Sequence, residues 1–375
     1  MSKREDREHK RVAKEVVADK PRETLIKAKE FIETLSAYKK YTKYYKTYHN
    51  GILKSIEYNE EPRLYVENKL DGTVTGRFSC TAYQAGSKKK KMGISFHTIP
   101  RPNKIVNIRR LFINENGAFL TSDYSGMELR VLAHASGDKG LTRAFESGAD
   151  PHAYTASLIF NKEVKDVSKE ERQLAKAVSF LVVYGGQAAK LAATAKISMA
   201  KAEAILERLQ NVYPGVFEWM EHIHLSIIEN KQAVSLFGGI RHLPNIDSKD
   251  QETVWGALRQ GVNFIIQRSA SDILAYAAKD VDIEILNRGL VSEFKQTVHD
   301  SLECDISRDE IQEVCEIVYD KMVNYPTLKK MGFVFKCPLK IETIVGHSFG
   351  DGEEIHYDAN GKVTNLDKVL EYMNK

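Results

Sequence analysis

Strand-like alternation at residues 118–123 and 293–306 brackets a stretch, 126–230, whose apolar spacing is almost wholly helical. Strands flanking a helix-rich middle fit an α+β architecture with a helical insertion. Each strand-like run carries an aspartate, Asp123 in DYSGMELRVLAHASGD and Asp300 in TVHDSLECD. Two carboxylates converging from separate strands can hold a pair of divalent cations, which stabilise both the attacking and the leaving oxygen of an in-line phosphoryl displacement. The pattern points to nucleotidyl transfer. A strand-end aspartate is more often a helix cap, and Asp123 or Ser125 could serve as one before Gly126. Alternation from Phe294 to Ile306 around His299-Asp300 favours the metal: it places Asp300 at a hairpin tip, where it can reach a cation that Asp123 also binds.

With 375 residues and 42% hydrophobic content, the chain can bury a large core and is expected to divide into two or three subdomains. A formal charge of +4 does not by itself indicate nucleic acid. Cys80, Cys304, Cys315 and Cys337 form no CxxC pair and no zinc spacing, which suits reduced thiols in a cytoplasmic protein. No apolar run approaches the roughly 18 residues of a membrane span, and the N-terminus lacks the apolar stretch of a secretory signal. A soluble intracellular protein with no membrane partner is expected.

Residues 1–22 mix both signs of charge and read as a solvated helix, a frayed tail or a DNA-touching arm. A helix is predicted from Glu23 to about Tyr48, carrying Leu25, Phe31, Ile32, Leu35 and Tyr38 and ending at Asn50-Gly51. Its interleaved lysines and tyrosines, Tyr38 to Lys46, suit either a solvated face or a helix lying along a phosphate backbone. A strand–turn–strand around Asp71-Gly72 follows, then a lysine loop at 88–91 and a short strand near 109–113. Beyond the helical stretch come a strand-like run at Ala233–Phe237, a helix from about Asp250 to Ile285, a helix over 307–325 and a last strand near 338–346.

In ERQLAKAVSFLVVYGG, Arg172, Lys176, Phe180 and Tyr184 recur every four residues and drift only about 40° per step, so they share one helix face. The two cations can grip a polyphosphate and the two rings can stack on a base. An ordinary helix with snorkelling basic residues and core aromatics explains the same spacing. On LRQGVNFIIQRSASD, Arg259, Asn263 and Gln267 repeat the step of four, a polar stripe on an apolar segment. Such groups need partners, either solvent or the minor-groove acceptors common to all base pairs.

Four ordered motifs resemble those of family A DNA polymerases, the bacterial DNA polymerase I type: TVTGRFS (73–79), DYSGMELRVLAHASGD (123–138), the Arg-x3-Lys-x3-Phe-x3-Tyr-Gly helix (172–185) and VHD (298–300). The likeness covers roughly residues 60–350. It implies a right-hand polymerase fold with an antiparallel-sheet palm, helical fingers and a reduced helical thumb. The implied division is 1–22 tail, 23–72 thumb, 73–137 palm, 138–240 fingers and 241–375 palm.

By the same resemblance, Asp123, Asp300 and the Tyr124 carbonyl hold two Mg²⁺ ions, one at the primer 3′-hydroxyl and one at the triphosphate. Arg172 and Lys176 bind the dNTP phosphates, with His152 of DPHAYTAS as a third candidate whose bland alternative is helix packing, and Lys176 is the general acid for pyrophosphate. Glu128, partnered by Tyr184, looks like the sugar gate that excludes a 2′-hydroxyl. Phe180 stacks near the incoming sugar and base, and as Phe rather than Tyr it implies discrimination against dideoxynucleotides. Tyr184 sits by the template base and swings as the helix closes. Arg77, His299, Arg259, Asn263 and Gln267 touch primer–template DNA.

Three positions depart from the family pattern. Ser301 replaces the usual Glu after His-Asp, Leu181 replaces the usual Gly after Phe180, and His97-Thr98 replaces the usual Gln-Asn before Ile99-Pro100. The first removes an auxiliary carboxylate, the second bears on the closing motion or fidelity, and the third leaves a template contact open. With 72 residues before Thr73, a reduced thumb and no proofreading exonuclease are expected. The expectation is a minimal, phage-like polymerase, or one whose thumb, exonuclease or processivity protein acts in trans. Two rivals remain: a single-subunit RNA polymerase, opposed by Glu128, and a catalytically silent DNA-binding subunit, opposed by the joint presence of Asp123, Asp300, Arg172 and Lys176.

Overall fold

The computed structural model describes residues 22–70, 72–86, 90–102, 106–148, 150–183 and 188–375, with the side chains of Arg22, Glu23, Phe180, Val182 and Val183 outside the description. The chain forms two compact units, 1–67 with 81–96, and 68–80 with 97–375.

In the smaller unit, helix α1 (Arg22–Lys43) passes through a π-helical stretch (Tyr44–His49) into α2 (Asn50–Asn59). The helix therefore runs through Asn50-Gly51, where the sequence pattern predicted its end. The glycine serves close packing instead: a Cβ on Gly51 would lie 3.3 Å from Ile94 Cγ2, and Ser55 Oγ donates back to the Gly51 carbonyl at 2.8 Å. Phe31, Ile32, Tyr38, Tyr41 and Tyr45 of this helix are exposed. Of the lysine loop, Lys90 and Lys91 form a short strand paired with Gln84–Ala85, and the charged tail 1–21 lies outside the described residues.

The larger unit is built on a five-stranded antiparallel sheet of β1 (Gly117–Tyr124), β2 (Glu293–Val298), β3 (Ser301–Ser307), β4 (Ile341–Ser348) and β5 (Asp351–Ile355), in the order β5-β4-β1-β3-β2. Strand alternation gives it two faces. Leu120, Leu302, Cys304, Ile306, Ile341 and Val345 join the core with the apolar side of a long helix spanning Gln251–Asn287. Thr121, Asp123, Ser301, Glu303 and Glu342 occupy the other face. Between β1 and β2 the chain is helical: α3 (Met127–Ser136), α4 (Lys139–Glu146), α5 (Pro151–Phe160), α6 (Lys169–Val183), α7 (Ala188–Ala195), α8 (Met199–Val212), α9 (Pro214–Asn230) and the long helix, α10. A small hairpin, Gln232–Val234 with Ile240–His242, precedes α10.

The strand expected near 109–113 is a 3-10 turn, Ile108–Leu111, that points Arg109 over the Phe349 ring at 4.3 Å. The connection 70–78 is longer than the tight turn expected at Asp71-Gly72, and Asp71 itself lies outside the described residues. Beyond β4, the strand β5 and a helix at Leu366–Met373 close the unit.

Candidate active site

The sheet brings the two aspartates together. Asp123 is the penultimate residue of β1, and Asp300 with His299 forms the β2–β3 turn, where His299 adopts a left-handed φ of 60°. The Tyr124 amide donates to the Asp300 carbonyl at 3.2 Å, and Asp123 faces Ser301 on one side and Glu342 on the other. Asp123 caps no helix: the N-cap of α3 is Gly126 in a left-handed conformation, without a side-chain bond. Burial, then the charge of Asp300, push the Asp123 acid up to about 6, with Arg101 and Arg109 pulling the other way. A half-buried carboxylate beside another is a place where a cation relieves the cost of both charges. Among the described residues no group of three or more His, Cys, Asp or Glu forms a metal cluster. A cation here would take two carboxylates, the Tyr124 carbonyl and ligands from outside the protein, an oxygen set that suits a hard divalent ion. The Tyr124 ring is buried, and its hydroxyl donates to the Met322 carbonyl at 2.9 Å.

Helix α6 carries Ala175, Val178 and Leu181 into the core, so Arg172 and Lys176 lie on its outer side. Arg172 forks onto Asp150, with Nε to Oδ1 at 3.0 Å and a terminal nitrogen to Oδ2 at 2.8 Å. Asp150 also caps α5 by accepting from the Ala153 amide at 2.7 Å. Burial alone would raise the Asp150 acid, but the bonds from Arg172 and Ala153 outweigh it and hold it below the ordinary carboxylate value. His152, on the first turn of α5, is held at about 4 by burial, Lys176 and Arg172, against Asp150. At neutral pH it therefore offers a neutral imidazole rather than a cation. The Phe180 side chain and the whole of Tyr184 fall outside the described residues.

Glu128, in the first turn of α3 and only 6% exposed, forms an ion pair with Arg77. The TGRFS segment reaches it because Gly76 takes φ 72° and lies against α10, whose Arg268 donates to the Gly76 carbonyl at 3.1 Å. On α10, Gln267 is 5% exposed and Asn263 Oδ1 is buried without a hydrogen-bond partner among the described residues, while Arg259 is half-buried. Gln267 and the Asn263 carbonyl therefore do not face solvent, whereas Arg259 does in part. His97 holds the Thr297 carbonyl at 2.8 Å and lies 5.6 Å, ring to ring, from His299.

Sequence reasoning missed Asp150, Arg109, Glu303 and Arg268. Asp150 had a signal, since Asp before Pro-His opens a helix as an N-cap. Glu303 had one too, because strand alternation puts it on the face of Ser301.

The family model for DNA polymerase family A matches residues 3–351. The chain is 32% identical to DNA polymerase I of Pseudomonas aeruginosa over 282 residues, 74% of this chain and 30% of that protein. It is 30% identical to DNA polymerase I of Geobacillus stearothermophilus over 327 residues, 86% of this chain and 35% of that protein. The chain thus spans about a third of the length of these curated relatives. It is also similar to the solved POL domain of Pol1 from M. smegmatis, in complex with DNA primer-template and dNTP. That likeness has a TM-score of 0.71 and 29% identity, covering 81% of this chain and 50% of the other. The right-hand polymerase fold follows, and the chain belongs to DNA polymerase family A.

Proposed function

We propose that this chain is a template-directed DNA polymerase that adds deoxynucleotides to a primer 3′ end. The observation that carries the proposal is the meeting of Asp123 and Asp300 through the Tyr124 amide, with the Asp123 acid raised to about 6. Family A polymerases are metal-dependent, and the oxygen donors here suit Mg²⁺, which binds through one or two carboxylates plus substrate phosphates. Two Mg²⁺ held by Asp123, Asp300 and the Tyr124 carbonyl would supply a more acidic primer hydroxyl and neutralisation of the departing pyrophosphate.

The chain's own residues do the rest. Arg172 and Lys176 hold the triphosphate, a fork and a point charge respectively, and Lys176 delivers a proton to the leaving pyrophosphate. His152 donates from a neutral ring beside them. Glu128, fixed by Arg77, fills the space a 2′-hydroxyl would need. Phe180 stacks on the sugar and base, and Tyr184 lies by the template base. Arg77, His299, Arg259, Asn263 and Gln267 hold primer–template DNA, with the orphaned Asn263 carbonyl and buried Gln267 as groups a duplex would satisfy. In this reading 73–137 and 241–375 form the palm, 138–240 the fingers and 23–72 the thumb.

Primer extension by the purified chain with dNTPs and Mg²⁺ tests the proposal. Extension that is lost in Asp300→Ala supports it; extension unaffected by that change sinks the metal-site assignment.

A further inference from the structure

A buried acidic side chain on the catalytic face has no part in the scheme above. Glu303 of β3 is 0% exposed and faces Thr121 across the β1–β3 ladder, one step along from the Asp123–Ser301 pair. Thr121 Oγ1 lies 2.5 Å from its Oε2, and Ser301 Oγ lies 2.6 Å from its Oε1. Ser301 Oγ also donates to the Val298 carbonyl at 2.8 Å. A serine hydroxyl has a single proton, and a carbonyl can only accept. With that proton given to Val298, the one shared between Ser301 and Glu303 comes from the carboxyl. The surroundings agree. No ion pair reaches Glu303 among the described residues, and its partner on β2 is the neutral Gln296. Burial pushes the Glu303 acid up to about 8, past the lowering effect of its hydroxyl neighbours Ser301 and Thr121 and of the more distant Arg109, and the charge of Asp123 adds to the rise.

Resting on the polymerase reading, we propose that Glu303 is a positioning residue acting as a neutral acid: through Ser301 and Thr121 it ties the turn carrying Asp300 to the strand carrying Asp123. Val298 begins that turn, so the chain Thr121 to Glu303 to Ser301 to Val298 fixes it by hydrogen bonds alone. Ser301 stands where the family usually has a glutamate. A neutral carboxyl one strand repeat away braces the pair without adding a further negative charge beside Asp123, already raised by Asp300 and Glu342.

The first test needs no activity. An infrared difference spectrum of metal-free wild type minus Glu303→Gln, at pH 6.5, should show a protonated-carboxyl band lost in the variant; carboxylate bands alone would overturn the proposal. The second test separates positioning from packing. Glu303→Gln keeps one donor and one acceptor, whereas Glu303→Met keeps the volume and neither. Gln should hold kcat and half-saturating Mg²⁺ within about threefold, while Met should worsen both by about tenfold to a hundredfold, as loss of outer-shell support does. KM for dNTP should stay put in both, because Arg172 and Lys176 are untouched. A Gln variant as impaired as Met would mean that the charge matters. A Met variant that loses only Tm would make Glu303 structural. Either result overturns the proposal, whereas a wild type that extends no primer would sink the polymerase reading and leave the infrared result standing.

Discussion

The Tyr124 amide donates to the Asp300 carbonyl at 3.2 Å, which splices the strand carrying Asp123 onto the hairpin tip that carries its partner. Two acids far apart in sequence thereby share one electrostatic environment. Burial, and after it the charge of Asp300, puts a cost on the ionised Asp123, whose acid is raised to about 6.

That cost makes a stability prediction. A raised folded-state value means the fold prefers the neutral acid, so its contribution is full below the ordinary 3.8 and is lost as pH rises to about 6. Above that, in metal-free buffer, the buried charge costs on the order of 3 kcal/mol. Asp123→Asn should therefore raise Tm in EDTA at pH 8 by about 4 °C. The gain should vanish below pH 4. Added Mg²⁺ should raise the Tm of the wild type and leave the variant unchanged; calorimetry over this pH range checks both.

Arg172 is engaged by Asp150, so a triphosphate has to share or take over the guanidinium. Removing the fork should act on binding. Arg172→Ala should raise KM for dNTP by about tenfold to a hundredfold, the worth of one or two charge-assisted hydrogen bonds. Steady-state extension across dNTP concentrations measures it, and an unchanged KM would separate Arg172 from the phosphates.

Glu128 is buried against Arg77, so its carboxylate is fixed in place rather than free to swing aside. Glu128→Ala should admit ribonucleotides, narrowing the preference for dNTP over rNTP by about a hundredfold, the scale on which a filled pocket rejects an added hydroxyl. It should also lower stability by about 1–3 kcal/mol, because Arg77 is left without its partner. Single-nucleotide incorporation with each sugar checks the first effect and thermal melting the second.

The parts of this molecule legible in its sequence were those governed by period. Alternation around His299-Asp300 gave the hairpin, and the apolar run of 250–285 gave the long helix, because each element repeats one instruction over many residues. Asn50-Gly51 misled because glycine serves both chain ends and close packing, and only the position of Ile94 shows which applies. The stretch 109–113 misled because a short apolar run does not distinguish a strand from a 3-10 turn. In the site, the residue types of Asp123, Asp300 and the Arg172–Lys176 face were readable. The Asp150–Arg172 fork and the Thr121–Glu303–Ser301 chain were not, because contacts between separate elements leave no period.

Gly76 shows how a motif residue can act without touching substrate. It sits at φ 72°, and a Cβ there would lie 2.4 Å from Arg268 Cδ. Gly76→Ala therefore combines two effects, left-handed strain of about 1–2 kcal/mol and displacement of the Arg268 side chain that bonds its carbonyl. Gly238, at φ 83° with nothing near its missing Cβ, carries only the first. If Gly76 positions Arg77, then Gly238→Ala should lose Tm alone, whereas Gly76→Ala should also weaken primer–template binding several-fold, with KM for dNTP unchanged. Matched losses in the two variants, with equal DNA affinity, would reduce Gly76 to a turn residue and remove the TGR segment's claim on the primer.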